Sequence, residues 1–339
     1  MFVYTGAPNE RSPHVRNALL ATMLSTACLA FATTSYGHEC PALRVIEPLT
    51  IGDVPESVTV DRAGNLYYSN LSTIHRRTPD GQDTVFATLP IPVFALGVKV
   101  GRDGCVYNTS VSLDPTLDGA FVWKTCTAGS VAQVHATLDP RGGPNDLAFD
   151  DDGNLFVTDP FLGQVWKVTP RGQASVWLAD PLLQGNATTP FLPFHSQGVN
   201  GIAFDDDKRN LYLGVLDYGR IVRVPIRHRG AAGTPSIWVS DARIQGADGI
   251  AFDENENLYV AVNGQDQLVR IRRDRRIEVL FQGAPLDGVS SVVFGRGRRD
   301  RHTLYVASSA FNRTFGFQPG TPAPALLATT TRDEGLPLP

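Results

Sequence analysis

The chain is built from short apolar runs separated by polar turns, and the order of the runs repeats. One run, such as LAFD or IAFD, ends in Asp and leads into a turn such as DDGN or ENEN. A second run follows (LYYSN, LFVTD, LYVAV), then a third that alternates apolar and basic residues (TIHRRT, QVWKVT, RIVRVP, QLVRIR). A fourth is short and apolar: DTVFAT, ASVWLA, SIWVS, IEVLF, ALLAT. Runs of about 4–7 residues, rich in Val, Phe, Tyr, Leu and Trp and bounded by Gly, Asp, Asn and Pro, are predicted to be β-strands. No apolar period of about 3.6 residues is sustained after the first forty residues, so helices are not expected to build the fold.

The opening phrase returns six times: PESVTVDRAGNLYYSN, FALGVKVGRDGCVYNT, PNDLAFDDDGNLFVTD, VNGIAFDDDKRNLYLG, ADGIAFDENENLYVAV and VSSVVFGRGRRDRHTLYVA. Aligned on Asp61, Gly101, Asp150, Asp205, Asp253 and Gly295, the repeats are 40–55 residues apart. Four short strands at that spacing predict an all-β, six-bladed propeller with four antiparallel strands per blade. The blades fall at about 55–88, 93–137, 142–180, 198–240, 247–283 and 288–329, within a domain spanning 40–330. LRVIEPL at 43–49 has fourth-strand character and is expected to pair with the last blade, removing an open edge. Residues 331–339 are expected to be a disordered tail. First strands crowd the axis of a propeller, which favours small residues, and Thr59, Ala148, Ala203 and Ala251 recur at one place. Lys99 breaks that series; it either points into the channel or reaches solvent.

Five residues before each alignment point stand Glu56, Leu96, Asn145, Asn200, Asp248 and Ser290. Radial packing brings these positions to one axis. Unpaired carboxylates are costly to bury, and a cation relieves that cost. Oxygen donors without Cys or His select a hard divalent ion. Ca2+ suits a wide channel mouth best because it accepts about 6–8 oxygens. Mg2+, Mn2+ and Zn2+ are the alternatives. Leu96 takes blade two out of this donor set.

Composition narrows the classes. A net charge of −4 argues against a nucleic-acid binder, and 42% apolar residues suit a globular domain. At the N-terminus, Arg11, His14 and Arg16 precede the uncharged stretch Ala18–Ala32. Its length suits a signal-peptide core better than a membrane span, which needs about 20 residues. Ala30-Phe31-Ala32 offers the cleavage site, so residues 1–32 are expected to be removed from a secreted or periplasmic protein with no membrane anchor in its mature form. Cys105 and Cys126 flank a hairpin whose folding sets them opposite one another, and a disulfide is expected between them. Cys40 is left over, and the sequons at Asn70, Asn108, Asn186 and Asn312 would carry sugar only in a eukaryotic host.

The phrases PES at 55–57, PND at 144–146, VNGIAF at 199–204 and ADGIAF at 247–252 resemble those of the SMP-30/gluconolactonase/LRE-like family. The likeness runs over about 50–329, with paraoxonases and strictosidine synthases as more distant relatives. It implies a lactonase-type hydrolase whose metal is held by Glu56, Asn200 and Asp248. Asn145 would face the metal's water or the substrate, and Asp248 would be the general base. Two departures stand out. Glu56 is followed by Ser57-Val58 rather than Gly-Pro or Ser-Pro, and Ser290 stands where the strictosidine-synthase branch has its catalytic Glu. No counterpart of the paraoxonase His pair is seen; His135 reads as structural, and His195 as either a pocket residue or a loop-packing one.

Loops after the second strands offer Asn70, Asp159, Asp217, Tyr218, Asn263 and Phe311 as pocket walls, together with Ser290 on the ring. The long insertion 181–197 carries Phe191 and Phe194, which would roof the site and favour an apolar substrate, or merely cover a blade edge. The expected activity is hydrolysis of a small-molecule lactone or ester by a monomer. The cation would polarise the carbonyl and acidify water, and Asp248 or its neighbour Asp146 would take the proton. The rival readings are a propeller that binds a ligand or protein and keeps its metal for structure, and a non-hydrolytic cyclase of secondary metabolism.

Overall fold

The computed structural model describes residues 42–112, 114, 116–188 and 195–336. The expected signal peptide, Cys40, Phe191 and Phe194 lie outside these residues. Among the described residues no helix is long and apolar enough to cross a membrane.

The turn chemistry explains why the repeat folds as it does. Asp61, Asp150, Asp205 and Asp253 each end a first strand and accept hydrogen bonds from the turn that follows. In each turn the closing Asn (Asn65, Asn154, Asn210 or Asn257) gives both its backbone N–H and its side-chain amide to that Asp. One carboxylate thereby replaces several ladder bonds and reverses the chain onto the second strand.

Six sheets result, each with four antiparallel strands. The first strands are Pro55–Val60, Phe94–Val100, Leu147–Phe149, Val199–Phe204, Ala247–Phe252 and Val289–Phe294, and neighbours pack against one another around the ring. A repeated aromatic contact locks successive blades. Tyr107, Phe156, Tyr212 and Tyr259, on second strands, meet Phe149, Phe204, Phe252 and Phe294 on the next blade's first strand edge to face, with centroids 4.9–5.4 Å apart. Such pairs add about 0.5–1.5 kcal/mol each beyond the area they bury.

The ring closes with a strand from the far end of the sequence. Arg44–Pro48 pairs antiparallel with Ala325–Thr330, so the sixth blade is built from both ends of the domain. ALLAT, expected as a fourth strand, is therefore the third strand of its blade, because the N-terminal strand takes the outer position. Arg77 of blade one ties the closing strand down, donating to Glu47 Oε2 at 2.8 Å and to the Ile46 carbonyl at 2.9 Å. Blade one gains a short fifth strand, Ser130–Val131, parallel to Asp83–Thr88. In blade two, Cys105 and Cys126 are joined by a disulfide at the open end of the hairpin Val106–Val111/Phe121–Thr125.

The run after Thr330 differs from the disordered tail expected of it. Thr331 bonds the His302 carbonyl, Glu254 N–H bonds the Glu334 carbonyl, and Leu336 N–H bonds the Phe252 carbonyl. Leu336 packs on the core between blades four and five and lines the end of the axial channel where Thr59, Ala148, Ala203 and Ala251 stand. An apolar residue six positions past the last strand was the available signal. Lys99 lines this same channel. Three of the four sequons are unsuited to glycosylation in the folded chain, since Asn70, Asn108 and Asn312 are buried.

Closure by Arg44–Pro48 makes the third strand of blade six interior. Protein that begins at Thr50 loses that pairing, the Arg77 contacts and the packing of Ile46 and Leu49. It is expected to lose about 3 kcal/mol or more and to aggregate through the exposed edge. Denaturant titration and light scattering of the two forms measure both effects.

Candidate metal and substrate site

The six ring positions lie near the starts of the first strands, and four of their side chains meet in one cavity. Glu56, Asn145, Asn200 and Asp248 line a pocket of about 80 Å³, together with Leu96 of blade two. The sixth ring residue turns away. Ser290, buried between blades six and one, donates to the Pro55 carbonyl at 3.3 Å. It is a strap between blades rather than the pocket residue the sequence offered.

Two oxygens of these residues lack partners. Glu56 Oε2 and Asn200 Oδ1 are solvent-inaccessible and accept no hydrogen bond. Orphaned buried acceptors are rare because each costs about 1–3 kcal/mol. Asp248 is buried beside them, its Oδ2 accepting from Asn263 Nδ2 at 3.1 Å. Asn263 Oδ1 accepts in turn from Asn312 Nδ2 at 3.2 Å, so a chain of two amides fixes the carboxylate's orientation. Burial and the charge of Asp146 push Glu56 up to about 7. Burial and the charge of Glu56 push Asp248 well above the usual carboxylate range. Two acids that cannot both ionise in a dry pocket, beside an orphaned carboxamide oxygen, fit a hard cation. Among the described residues no three His, Cys, Asp or Glu side chains gather as a metal group. The donor set here is two carboxylates completed by carboxamides.

Asp146, offered as an alternative base, is engaged elsewhere. Its Oδ1 accepts from Lys99 Nζ at 2.9 Å and from Leu147 N–H at 2.8 Å. An ammonium ion held at this distance makes it the counter-charge of Lys99, a pairing between blades two and three that sequence order does not reveal.

The other proposed pocket residues divide. Asn263 and Phe311 line the cavity. His195 stacks on Phe161, itself a wall residue, with centroids 4.0 Å apart. Asp159 accepts from Gly143 N–H and from Trp166 Nε1, and Asp217 accepts from Asn186 and Gln197 N–H. Both hold loops instead of facing a ligand. Asn70 braces the Val54 N–H and Asp53, and Tyr218 stacks on Arg220 at the surface. His135 meets Tyr107 edge to face in the outer part of blade two. Sequence reasoning missed Phe94, Val111, Phe161, Gln197, Leu216 and Asn312. They come from blades two, three, four and six, and each has an ordinary local context.

Residues 54–310 match the family described as the SMP-30/Gluconolactonase/LRE-like region, and the chain belongs to that family. It is 24% identical over 219 residues to lactonase drp35 of Staphylococcus epidermidis, a match covering 63% of this chain and 65% of that relative. The fold is similar to that of a calcium-binding protein, regucalcin, from Agrobacterium tumefaciens, with TM-score 0.61 and 20% identity over 88% of this chain and 97% of the other. It is also similar to a gluconolactonase from Xanthomonas campestris, with TM-score 0.59 and 16% identity over 88% of this chain and 89% of the other.

The raised acids make the metal-free protein pH-sensitive. The folded state holds the Glu56 proton more tightly than the unfolded chain, so this contribution is intact below about 4.5 and lost as the pH climbs to about 7. Chelated protein is expected to lose stability on the order of 3 kcal/mol over that span. Protein supplied with Ca2+ should hold its melting temperature there. Thermal melts across pH, with and without the ion, make the comparison.

Proposed function

We propose that the protein is a divalent-cation-dependent hydrolase of lactones or esters. The observation that carries this is the convergence of Glu56, Asn200 and Asp248, with two orphaned oxygens, at the floor of one pocket. The lactonase and gluconolactonase names among the similar proteins support the reaction class. The regucalcin likeness supports Ca2+ as the ion, since that protein is named as calcium-binding.

Glu56, Asn200 and Asp248 would hold the cation, with Asn145 beside it. A bound divalent ion polarises the ester carbonyl and lowers the pKa of water. Asp248 takes a proton from the attacking water at Oδ1, the oxygen that Asn263 leaves open. The water oxygen forms the new bond to the carbonyl carbon, the ring C–O bond breaks, and the departing alkoxide receives the proton. Asn263 and Asn312 keep the Asp248 carboxylate aimed throughout. The apolar walls keep bulk water from the reacting carbonyl. The disulfide between Cys105 and Cys126 supports the export reading, because such bonds persist in oxidising compartments.

A second reading, a non-catalytic propeller that binds an apolar ligand, is favoured by the aromatic walls Phe94, Phe161 and Phe311. Lactone hydrolysis by protein beginning near Thr33 separates the two. Activity is expected to vanish on chelation, to return with Ca2+, and to fall at least about a hundredfold in Asp248→Asn. Stable metal binding without turnover of any lactone or ester would leave the binding protein.

A further inference from the structure

The pocket's polar groups are already committed. Asn263 uses both ends of its amide, on Asp248 and on Asn312. Glu56, Asn145, Asn200 and Asp248 occupy the floor. Among the described residues that leaves Gln197 and the second end of the Asn312 amide on the walls. A sugar lactone brings several hydroxyls, and each one buried without a partner costs about 1–3 kcal/mol. Among the described residues the remaining side chains of the lining are apolar: Phe94, Leu96 and Val111 from blade two, Phe161 from blade three, Leu216 from blade four and Phe311 from blade six.

The apolar surface continues past the cavity. Phe311 contacts Phe315 at 4.7 Å and Phe317 at 6.1 Å between centroids, and Phe315 meets Phe94 at 5.9 Å. Phe315 and Phe317 are each 39% exposed, so aromatic rings face water at the mouth. The segment that presents them is held firmly. Arg313 donates to Asp266 at 2.9 Å and to Asp287, and the Asp287 carboxylate also accepts from Ala323 N–H. A pre-organised, solvent-facing aromatic track leading from a polar floor is what an extended apolar substituent would cover.

We propose that the substrate is a lactone or ester carrying an extended alkyl or aryl substituent, seated along Phe161, Phe311, Phe315 and Phe94, rather than a polyhydroxylated sugar lactone. This rests on the hydrolase reading, and two measurements keep them apart. One is kcat/KM across δ-lactones whose side chain grows from methyl to heptyl, beside glucono-δ-lactone. The other is calorimetric binding of the heptyl δ-lactam, which the enzyme would not hydrolyse.

The rate constant is expected to rise about fourfold per buried methylene until the track is filled, with the sugar lactone at least about tenfold below the heptyl compound. Phe161→Ser and Phe315→Ser should each weaken lactam binding about tenfold and flatten the series. If Phe161→Ser fails to fold, the surface variant at Phe315 carries the comparison. Lactone turnover that is indifferent to chain length, or that prefers the sugar lactone, overturns the substrate class and leaves the hydrolase. Tight lactam binding without any turnover overturns the hydrolase and keeps the apolar pocket. Neither binding nor turnover overturns both.

Discussion

The site depends on how closely the first strands approach one another at the axis. The residue after each ring position sits against the ring residue of the next blade. At Gly97, Gly201 and Gly249 a Cβ would lie 2.3, 2.0 and 2.7 Å from the carbonyl oxygens of Asn145, Asp248 and Ser290. None of these glycines needs a left-handed backbone; each is required by contact alone. The other three blades keep a side chain there and use it. Ser57 Oγ accepts from Val98 N–H and Ser291 Oγ from Val58 N–H, while Asp146 pairs with Lys99. A propeller packed this tightly holds the backbone of its ring positions at fixed spacing. Pre-organisation of the donor oxygens is thus a property of backbone packing.

That packing also explains which features were legible in the sequence. The turn Asp and closing Asn recur in four blades because each must solve the same hairpin, so the repeat was visible. The ring was visible because one symmetry-related position held Glu, Asn, Asn and Asp, where apolar residues would pack more cheaply. What the repeat could not show was pairing across blades. Lys99 and Asp146 lie 47 positions apart, and nothing local marks either as the other's partner. Asp159 and Asp217 misled for a physical reason. A carboxylate on a loop after a second strand looks available, but here each satisfies backbone amides that the loop leaves unpaired. The aromatic walls were illegible in another way, since each Phe alone is indistinguishable from a core residue.

The tail illustrates a competing principle. Its composition, Thr-Arg-Asp-Glu-Gly before Leu336, is that of a loop. Its backbone nevertheless pairs with Phe252, Glu254, Arg301 and His302, because the channel end opposite the ring would otherwise expose apolar residues such as Ile250, Phe252 and Phe294. Tertiary demand overrode local preference. The consequence for the site is one of access. Leu336 lines the channel at that far end, while Phe94 and Phe311 line the cavity on the ring's side.

Charge balance then bears on the ion. Three carboxylates stand near the axis: Glu56, Asp146 and Asp248. Lys99 neutralises Asp146 at 2.9 Å, which leaves Glu56 and Asp248 with no cationic side chain against them among the described residues. In a buried site an uncompensated charge costs several kcal/mol, so full ionisation of both acids would call for a charge of plus two. A monovalent ion would leave one acid to be protonated, and a lysine in place of the ion would spend the pocket's volume on its own stem. The ring therefore gives up apolar packing at four of its six positions for an oxygen-lined pocket, whose two buried acids a divalent cation would balance under the proposed reading. Lys99 is part of that balance, although it touches none of the donor oxygens of Glu56, Asn200 or Asp248 that face the cavity.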